Sequence, residues 1–253
     1  IKMRKVLLYF ALKYQGDYKK ILSAIEEKEQ IEKNELQEVE NKIKCKYITL
    51  LDNDYPDVFK HTGTPPFVLF YKGDLSLLDS KCISIIGSRK NSQYGKEVTE
   101  ELTTQLVEKK YSIVSGLAEG IDSIAHRTCL NNKGKTIAVL GNGLNVIYPE
   151  SNKELQKEIE LNGLVISEYP NNVKSNKENF PIRNRIVAGL SDAIVVSEAK
   201  RKSGTMITVA RALEMGKEIF CVPYKIGEDS GCNTLIKEGA KLIETVDDIL
   251  NEL

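Results

Sequence analysis

From Cys82 onward the chain repeats one pattern. Runs that are apolar on both sides, CISIIG (82–87), YSIVSG (111–116), TIAVLG (136–141), GLVISE (163–168), AIVVSEA (193–199), EIFCVP (218–223) and AKLIET (240–245), alternate with helix-length segments such as 96–110 and 205–215. A strand with one wet face would alternate polar and apolar residues, whereas a continuous apolar run signals burial on both faces. Such strands separated by helices predict an α/β fold, a mainly parallel sheet covered by helices on both sides. No internal repeat interrupts the pattern.

The first 44 residues have another texture. Lys and Glu surround a sparse apolar set (Leu22, Ile25, Ile31, Leu36, Val39), which predicts a few short helices and a small, separate helical module over 1–44. YITLLD (47–52) and PPFVLFYKG (65–73) then open a β-rich domain over 45–253. The apolar run 6–12 imitates a signal peptide, but Lys13 follows at once without a cleavage site, so it is expected to be a core helix. Met3 is the expected natural start, and no run approaches the roughly 20 apolar residues needed to span a membrane.

At 253 residues and 41% hydrophobic, the chain can bury one sizeable core. Its five cysteines include no CxxC pair, which points to reduced thiols and a cytoplasmic protein. His61 and His126, the only histidines, offer little for zinc, and no metal or cofactor is expected. A net charge of zero argues against indiscriminate coating of a polyanion. Charge is nonetheless uneven: residues 172–211 hold eight basic side chains against three acidic ones.

In a parallel sheet, ligands bind beyond the carboxyl ends of the strands. Gly87, Gly116 and Gly141 end three of the expected strands, with Gly120 and Gly143 close behind, and are expected to let the backbone approach a phosphate. Neither a full GxGxxG fingerprint nor a phosphate-binding GxxxxGK[ST] loop is present. After the first of these strands come Ser88 and Arg89, the latter an expected phosphate contact. In SGLAEGIDSIAH (115–126), Asp122 reads as a helix N-cap and His126 as packing. Ser203, Gly204 and Thr205 begin a further helix and offer hydroxyls and N–H groups to an anion. FPIRNR (180–185) is the most pointed stretch. Pro181 suits a first helical position, which sets Arg183 and Arg185 in or near the first turn, where the helix dipole repels cations unless an anion is bound. At about 100° per residue, Arg183 falls among Ile182, Ile186 and Leu190, Arg185 flanks that stripe and Asn184 points away. The alternative for Arg183 is a structural ion pair with a buried acid such as Glu198.

GSR followed by YG, SGLAEGIDSIAH, TIAVLGNGLNVIYP, NFPIRNRIVAGLSDAIVVSEA, SGTMIT and GCNTLIKEGAKLI occur in this order, and together they closely resemble the DNA-processing protein A (DprA/Smf) family of bacteria. The resemblance runs from about Ile48 to the end of the chain. It implies an extended Rossmann-like domain that binds single-stranded DNA, dimerises and loads the RecA recombinase during natural transformation, without catalysis. It places Arg89, Arg183 and Arg185 in a DNA-binding pocket with Phe180 available to stack a base. The full expected DNA-binding set is Gly87, Ser88, Arg89, Lys153, Asn179, Phe180, Arg183, Arg185, Lys202, Ser203, Gly204 and Thr205, and Leu235 and Ile236 are expected at a dimer interface. Glu119 and Glu150 stand where relatives usually carry basic residues, which lowers the expected affinity, with Lys153 a partial compensation. Many relatives append a winged-helix-like domain at the C-terminal side. The rival reading is an enzyme, since the chain is also similar to phosphoribohydrolases with a PGGxGTxxE motif; here Thr208 stands in place of the glutamate, and a threonine cannot supply that carboxylate. A third reading is a module that senses a small nucleotide.

Overall fold

The computed structural model describes residues 2–60 and 62–253. Ile1 and His61, the latter one of the two histidines weighed as zinc donors, lie outside the described residues. Among the described residues nine strands, β1 (Lys46–Thr49), β2 (Val68–Gly73), β3 (Cys82–Gly87), β4 (Ser112–Ser115), β5 (Thr136–Leu140), β6 (Leu164–Ser167), β7 (Ala193–Glu198), β8 (Glu218–Cys221) and β9 (Lys241–Leu242), form one sheet in the order β1-β2-β6-β5-β4-β3-β7-β8-β9. The β1/β2 and β2/β6 pairings are antiparallel and the rest parallel, so each expected apolar run from Cys82 onward supplies a strand. The last of them shrinks to β9. Beyond Ile243 the amides of Glu244 and Thr245 donate to the Asp248 carboxylate at 2.9 and 2.8 Å, which turns the chain out of the ladder.

The helices are α1 (Lys2–Lys13), α2 (Tyr18–Glu26), α3 (Lys33–Glu38), α4 (Asp57–Lys60), α5 (Gln93–Glu108), α6 (Ile121–Asn131), α7 (Lys153–Asn162), α8 (Asn179–Leu190), α9 (Gly204–Glu214), α10 (Gly231–Lys237) and α11 (Asp247–Leu250). They cover both faces of the sheet, and the fold is the expected α/β, Rossmann-like one. On one face α8, α9 and α10 bring Ile186, Val187, Val209 and Leu235 against Val114, Val139, Ile194 and Val196. On the other, Leu102, Leu106 and Cys129 of α5 and α6 cover Ile83, Ile85 and Ile113. Farther along, Leu8 and Phe10 of α1 and Ile21 of α2 share a cluster with Leu155 of α7 and with Phe70, Leu140 and Val165 of the sheet. The signal-like run 6–12 is thus the buried face of α1, with Leu7, Leu8, Phe10 and Ala11 all inside.

Two crossings position the site. The turn between α1 and α2 is keyed to the end of β6: Gly16 has φ +79°, and a Cβ there would stand 2.6 Å from the Glu168 carbonyl. A residue with a side chain would be strained and would push this turn away. The second crossing follows from strand order. β6 lies on one side of β3 and β7 on the other, so the connection between them must travel beneath β5 and β4. Its second half is α8, which touches all three strands; Asn179 donates to the Gly141 carbonyl after β5 (3.1 Å), and near the helix end Ser84 of β3 donates to the Val187 carbonyl (3.0 Å). The first turns of α8 therefore lie under the carboxyl ends of β4 and β5, where a parallel sheet presents its binding crevice.

Candidate functional site

α8 begins at Asn179, ahead of Pro181, so Arg183 and Arg185 fall in its second turn rather than its first. Dipole repulsion fades beyond the first turn, and the stronger constraint on both arginines is burial, at 5% and 6% exposure. Arg185 was expected to flank the core. It is instead locked within it: Nη1 and Nη2 each donate to the Glu168 carboxylate at 2.7 Å, Nε to the Thr64 carbonyl at 2.9 Å and Nη1 also to the Ile182 carbonyl at 2.9 Å. The carboxylate partner considered for Arg183 thus belongs to Arg185, and it is Glu168. Glu198 is engaged elsewhere, accepting from the Ser92 hydroxyl (2.7 Å) at the start of α5. Periodicity misplaced these contacts because a second layer covers α8: Phe59 of α4 lies against Gly189, where a Cβ would meet the ring at 3.2 Å. With both sides covered, every residue from Arg185 to Leu190 is buried, while Ile182, assigned to the core stripe, is 45% exposed.

Arg183 has no carboxylate within ion-pair distance among the described residues. Nη1 donates to the carbonyls of Gly116 (2.7 Å) and Val139, and Nε to the Asn184 side chain at 3.1 Å. Burial, only partly offset by the charge of Asp122, lowers its pKa to about 10, so it stays cationic at neutral pH. Asp122 is not the N-cap, a position taken by Gly120. Its buried carboxylate accepts from the amides of Gly116 (3.1 Å) and Ala118 (3.4 Å) and so closes the loop after β4; burial raises its pKa, against the opposing effect of Arg183. His126 is packing, as expected: it is fully buried, with Nδ1 2.6 Å from the Thr136 hydroxyl.

Phe180 stands at the mouth of this arrangement. Its ring stacks on Tyr148, with centroids 5.5 Å apart and planes at 29°, and the guanidinium carbons of Arg89 and Arg183 lie 5.4 and 5.8 Å from its centroid. Cations over an aromatic face are held by the ring quadrupole. Arg89 is exposed and forms no ion pair among the described residues. Two of the strand-end glycines serve these side chains rather than a phosphate: a Cβ on Gly116 would lie 2.6 Å from Arg183 Nη2, and one on Gly141 would lie 2.8 Å from the Phe180 ring. Between Arg89, Gly116, Gly141, Tyr148, Phe180 and Arg183 remains a cleft of about 30 Å³, with Glu119 on its wall.

The other expected site residues are not all gathered there. Gly87 packs against Ile121, where a Cβ would stand 2.6 Å away, and Ser88 spends its hydroxyl on the Lys90 carbonyl within its own turn (3.0 Å). Lys153, the first residue of α7, pairs with Glu150 at 3.5 Å. Lys202, Ser203, Gly204 and Thr205 start α9 outside the cleft lining, and the Ser203 hydroxyl donates to the Lys200 carbonyl instead of capping the helix. Leu235 lies in the chain's own core rather than on its surface, and Ile236 packs against that core in part. Sequence reasoning missed Tyr148 and Glu168. Each had a faint signal, Tyr148 as the aromatic before Pro149 in a strand-end loop and Glu168 as the acid ending GLVISE.

Comparison with known proteins agrees with the fold. The model of the family described as DNA recombination-mediator protein A matches residues 46–253. The chain belongs to that family. It is 46% identical over 206 residues to the DNA processing protein DprA of Streptococcus pneumoniae, covering 81% of this chain and 73% of that one. The X-ray structure of the S. pneumoniae protein superposes with a TM-score of 0.84 at 38% identity, covering 98% of this chain and 93% of that one. A Helicobacter pylori DNA processing protein A, whose structure is described for its single-stranded DNA binding mode, gives 0.74 at 33% identity over 83% of this chain and 95% of that one. Family membership confirms the resemblance carried by the motifs, and the DNA recombination-mediator match begins at the first strand, β1.

Proposed function

We propose that the protein binds single-stranded DNA at this cleft, with a backbone phosphate against Arg89 and Arg183 and a base stacked on the Tyr148–Phe180 rings. The observation that carries this reading is Arg183, a buried cation that among the described residues is hydrogen-bonded only to carbonyls and an amide, beside a second arginine that forms no ion pair there. A desolvated charge hydrogen-bonded to dipoles and only partly offset by the nearby Asp122 is complementary to an anion arriving from solvent. Size decides how the rest of a nucleotide sits. About 30 Å³ admits a phosphate oxygen, whereas pockets that enclose small molecules run to roughly 300–1,000 Å³. The base therefore stays outside, on the Tyr148 ring, which is 41% exposed. Stacking of this kind needs unstacked bases and tolerates any of them, which favours single strands over duplex.

The same dimensions weigh against hydrolysis of a nucleotide, and Thr208, in the position of the rival motif's glutamate, is buried within α9. Under this reading Arg185 is not a DNA contact but the buried anchor that holds α8 in place, and Lys153 and Lys202–Thr205 lie beside the strand's path. Residues 1–44 form a helical module docked on the DNA-binding domain of 45–253. The protein acts in the cytoplasm as a homodimer joined where Ile236 and the 48%-exposed Leu242 flank the β9 edge. It delivers incoming single strands to the RecA recombinase in natural transformation, without cofactor or catalysis. Anisotropy titrations of labelled single-stranded and duplex DNA at two salt concentrations test the central claim: tighter binding of single strands is expected, and equal or tighter binding of duplex overturns it.

A further inference from the structure

α8 has a second side. Phe180 and Arg183 face the cleft, while Asn179, Pro181 and Ile182, interleaved with them, line an open groove of about 1280 Å³ whose far wall is the turn between α1 and α2. The walls are fixed from both ends. Gly16 seats the turn against Glu168 and Tyr169, and the Asn171 side chain donates to the Lys42 carbonyl at 3.0 Å. Lys19, Lys42 and Lys174 line the groove, are exposed and form no ion pair among the described residues. Tyr18 is half-buried there, its ring stacked on Phe67 at 4.9 Å, and its hydroxyl has no hydrogen-bond partner among the described residues. Glu178 also lines the groove, but three unpaired cations and one anchored aromatic ring still offer a single strand positive charge and a stacking face, and a preformed groove binds at a lower ordering cost.

We infer that this groove carries the continuation of the strand bound at Phe180, so that the N-terminal helices form part of the DNA-binding surface through Tyr18, Lys19 and Lys42. The inference rests on the reading of the cleft above. The strand passes over the start of α8, from the Tyr148–Phe180 platform on one side to Tyr18 on the other, with Ile182 as the apolar saddle between them.

Length separates the two sites experimentally. Oligothymidylates of about six and about twenty nucleotides are titrated across a salt series against the full chain, against a Lys19→Gln/Lys42→Gln/Lys174→Gln variant and against Arg89→Ala. Each lysine–phosphate contact on a single strand contributes about 0.7 to the slope of log K against log salt, so the triple variant should lose about 2 from the slope for the long strand and nothing for the short one. Arg89→Ala should weaken both. Photo-crosslinking of a long strand substituted with iododeoxyuridine should label Tyr18. An unchanged long-strand slope, with Arg89→Ala still impaired, overturns the groove and leaves the cleft standing. Equal loss on both lengths also overturns it, by reducing the lysines to a diffuse field. Insensitivity of both lengths to Arg89→Ala removes the cleft reading and the groove with it.

Discussion

Arg185→Ala tests the account of α8 most directly. The substitution leaves the Glu168 carboxylate, 4% exposed, without the two guanidinium bonds of 2.7 Å that compensate its burial. Removing one partner of a buried ion pair costs about 3–5 kcal/mol. For a chain of this size 1 kcal/mol moves the melting temperature by about 2–4 °C, so a fall of roughly 6–20 °C is expected. Arg183→Ala should cost less. It relieves a desolvated cation and leaves the Gly116 and Val139 carbonyls and the Asn184 side-chain oxygen short of a donor, about 1–2 kcal/mol, beside a cleft that water can enter. Replacing both members of the pair, Arg185→Leu with Glu168→Leu, should recover most of what Arg185→Ala loses, because no charge is then stranded. Thermal and urea melts without DNA measure all three, and titration of the folded fraction adds the function: Arg183→Ala loses affinity for single strands, while Arg185→Ala, kept cold enough to fold, retains most of it. An Arg185→Ala melt no lower than that of Arg183→Ala, or a double variant no more stable than the single one, would refute the reasoning.

His126 is buried, and desolvation, with the nearby Arg183 charge second, lowers its pKa from 6.5 to about 3. Between those values the unfolded chain binds a proton that the native state refuses, so this residue's contribution falls as pH drops from 6.5 towards 3. Each pH unit in that window removes about 1.4 kcal/mol, several kcal/mol in total. His126→Asn should narrow its stability deficit as denaturation is repeated from pH 7 to pH 4, and a constant deficit counts against the assignment. Gly116→Ala should weaken single-strand binding with little loss of stability, because its Cβ displaces the Arg183 guanidinium; unchanged affinity would show that the guanidinium has room to spare. Tyr148→Leu should cost about 1–3 kcal/mol of binding by loss of one stacked base, read by anisotropy, with base identity altering the loss little. Ile236→Glu with Leu242→Glu should yield a monomeric mass by light scattering where the unaltered chain gives a dimer.

The sheet was legible because its strands are buried on both faces, and such burial writes itself as unbroken apolar runs such as Ile137–Leu140 and Ile194–Val196. The candidate cleft was legible at Arg89, Phe180 and Arg183, where cations and an aromatic meet glycine at strand ends. What stayed hidden depends on contacts between distant segments. Nothing local to Arg185 announces Glu168 or Thr64 as its partners, and the covering of α8 by Phe59 alters its buried arc without altering its own sequence. The strand-end glycines illustrate the same limit. Their absence of a side chain was plain, but which atoms fill the space, a phosphate or the protein's own Arg183 and Phe180, is decided by a helix that arrives from far along the chain.

That helix sets a limit on how the site can be moved or altered. α8 is both the link that carries the chain from β6 across to β7 and the beam that holds Phe180 and Arg183 in sockets left by Gly141 and Gly116 just past the ends of two other strands. FPIRNR grafted into a different scaffold would bring its plug without the sockets, and reordering the strands of this sheet would carry the sockets away from the plug. Strand order is therefore part of what builds the cleft, and the segment cannot serve as a transferable cassette.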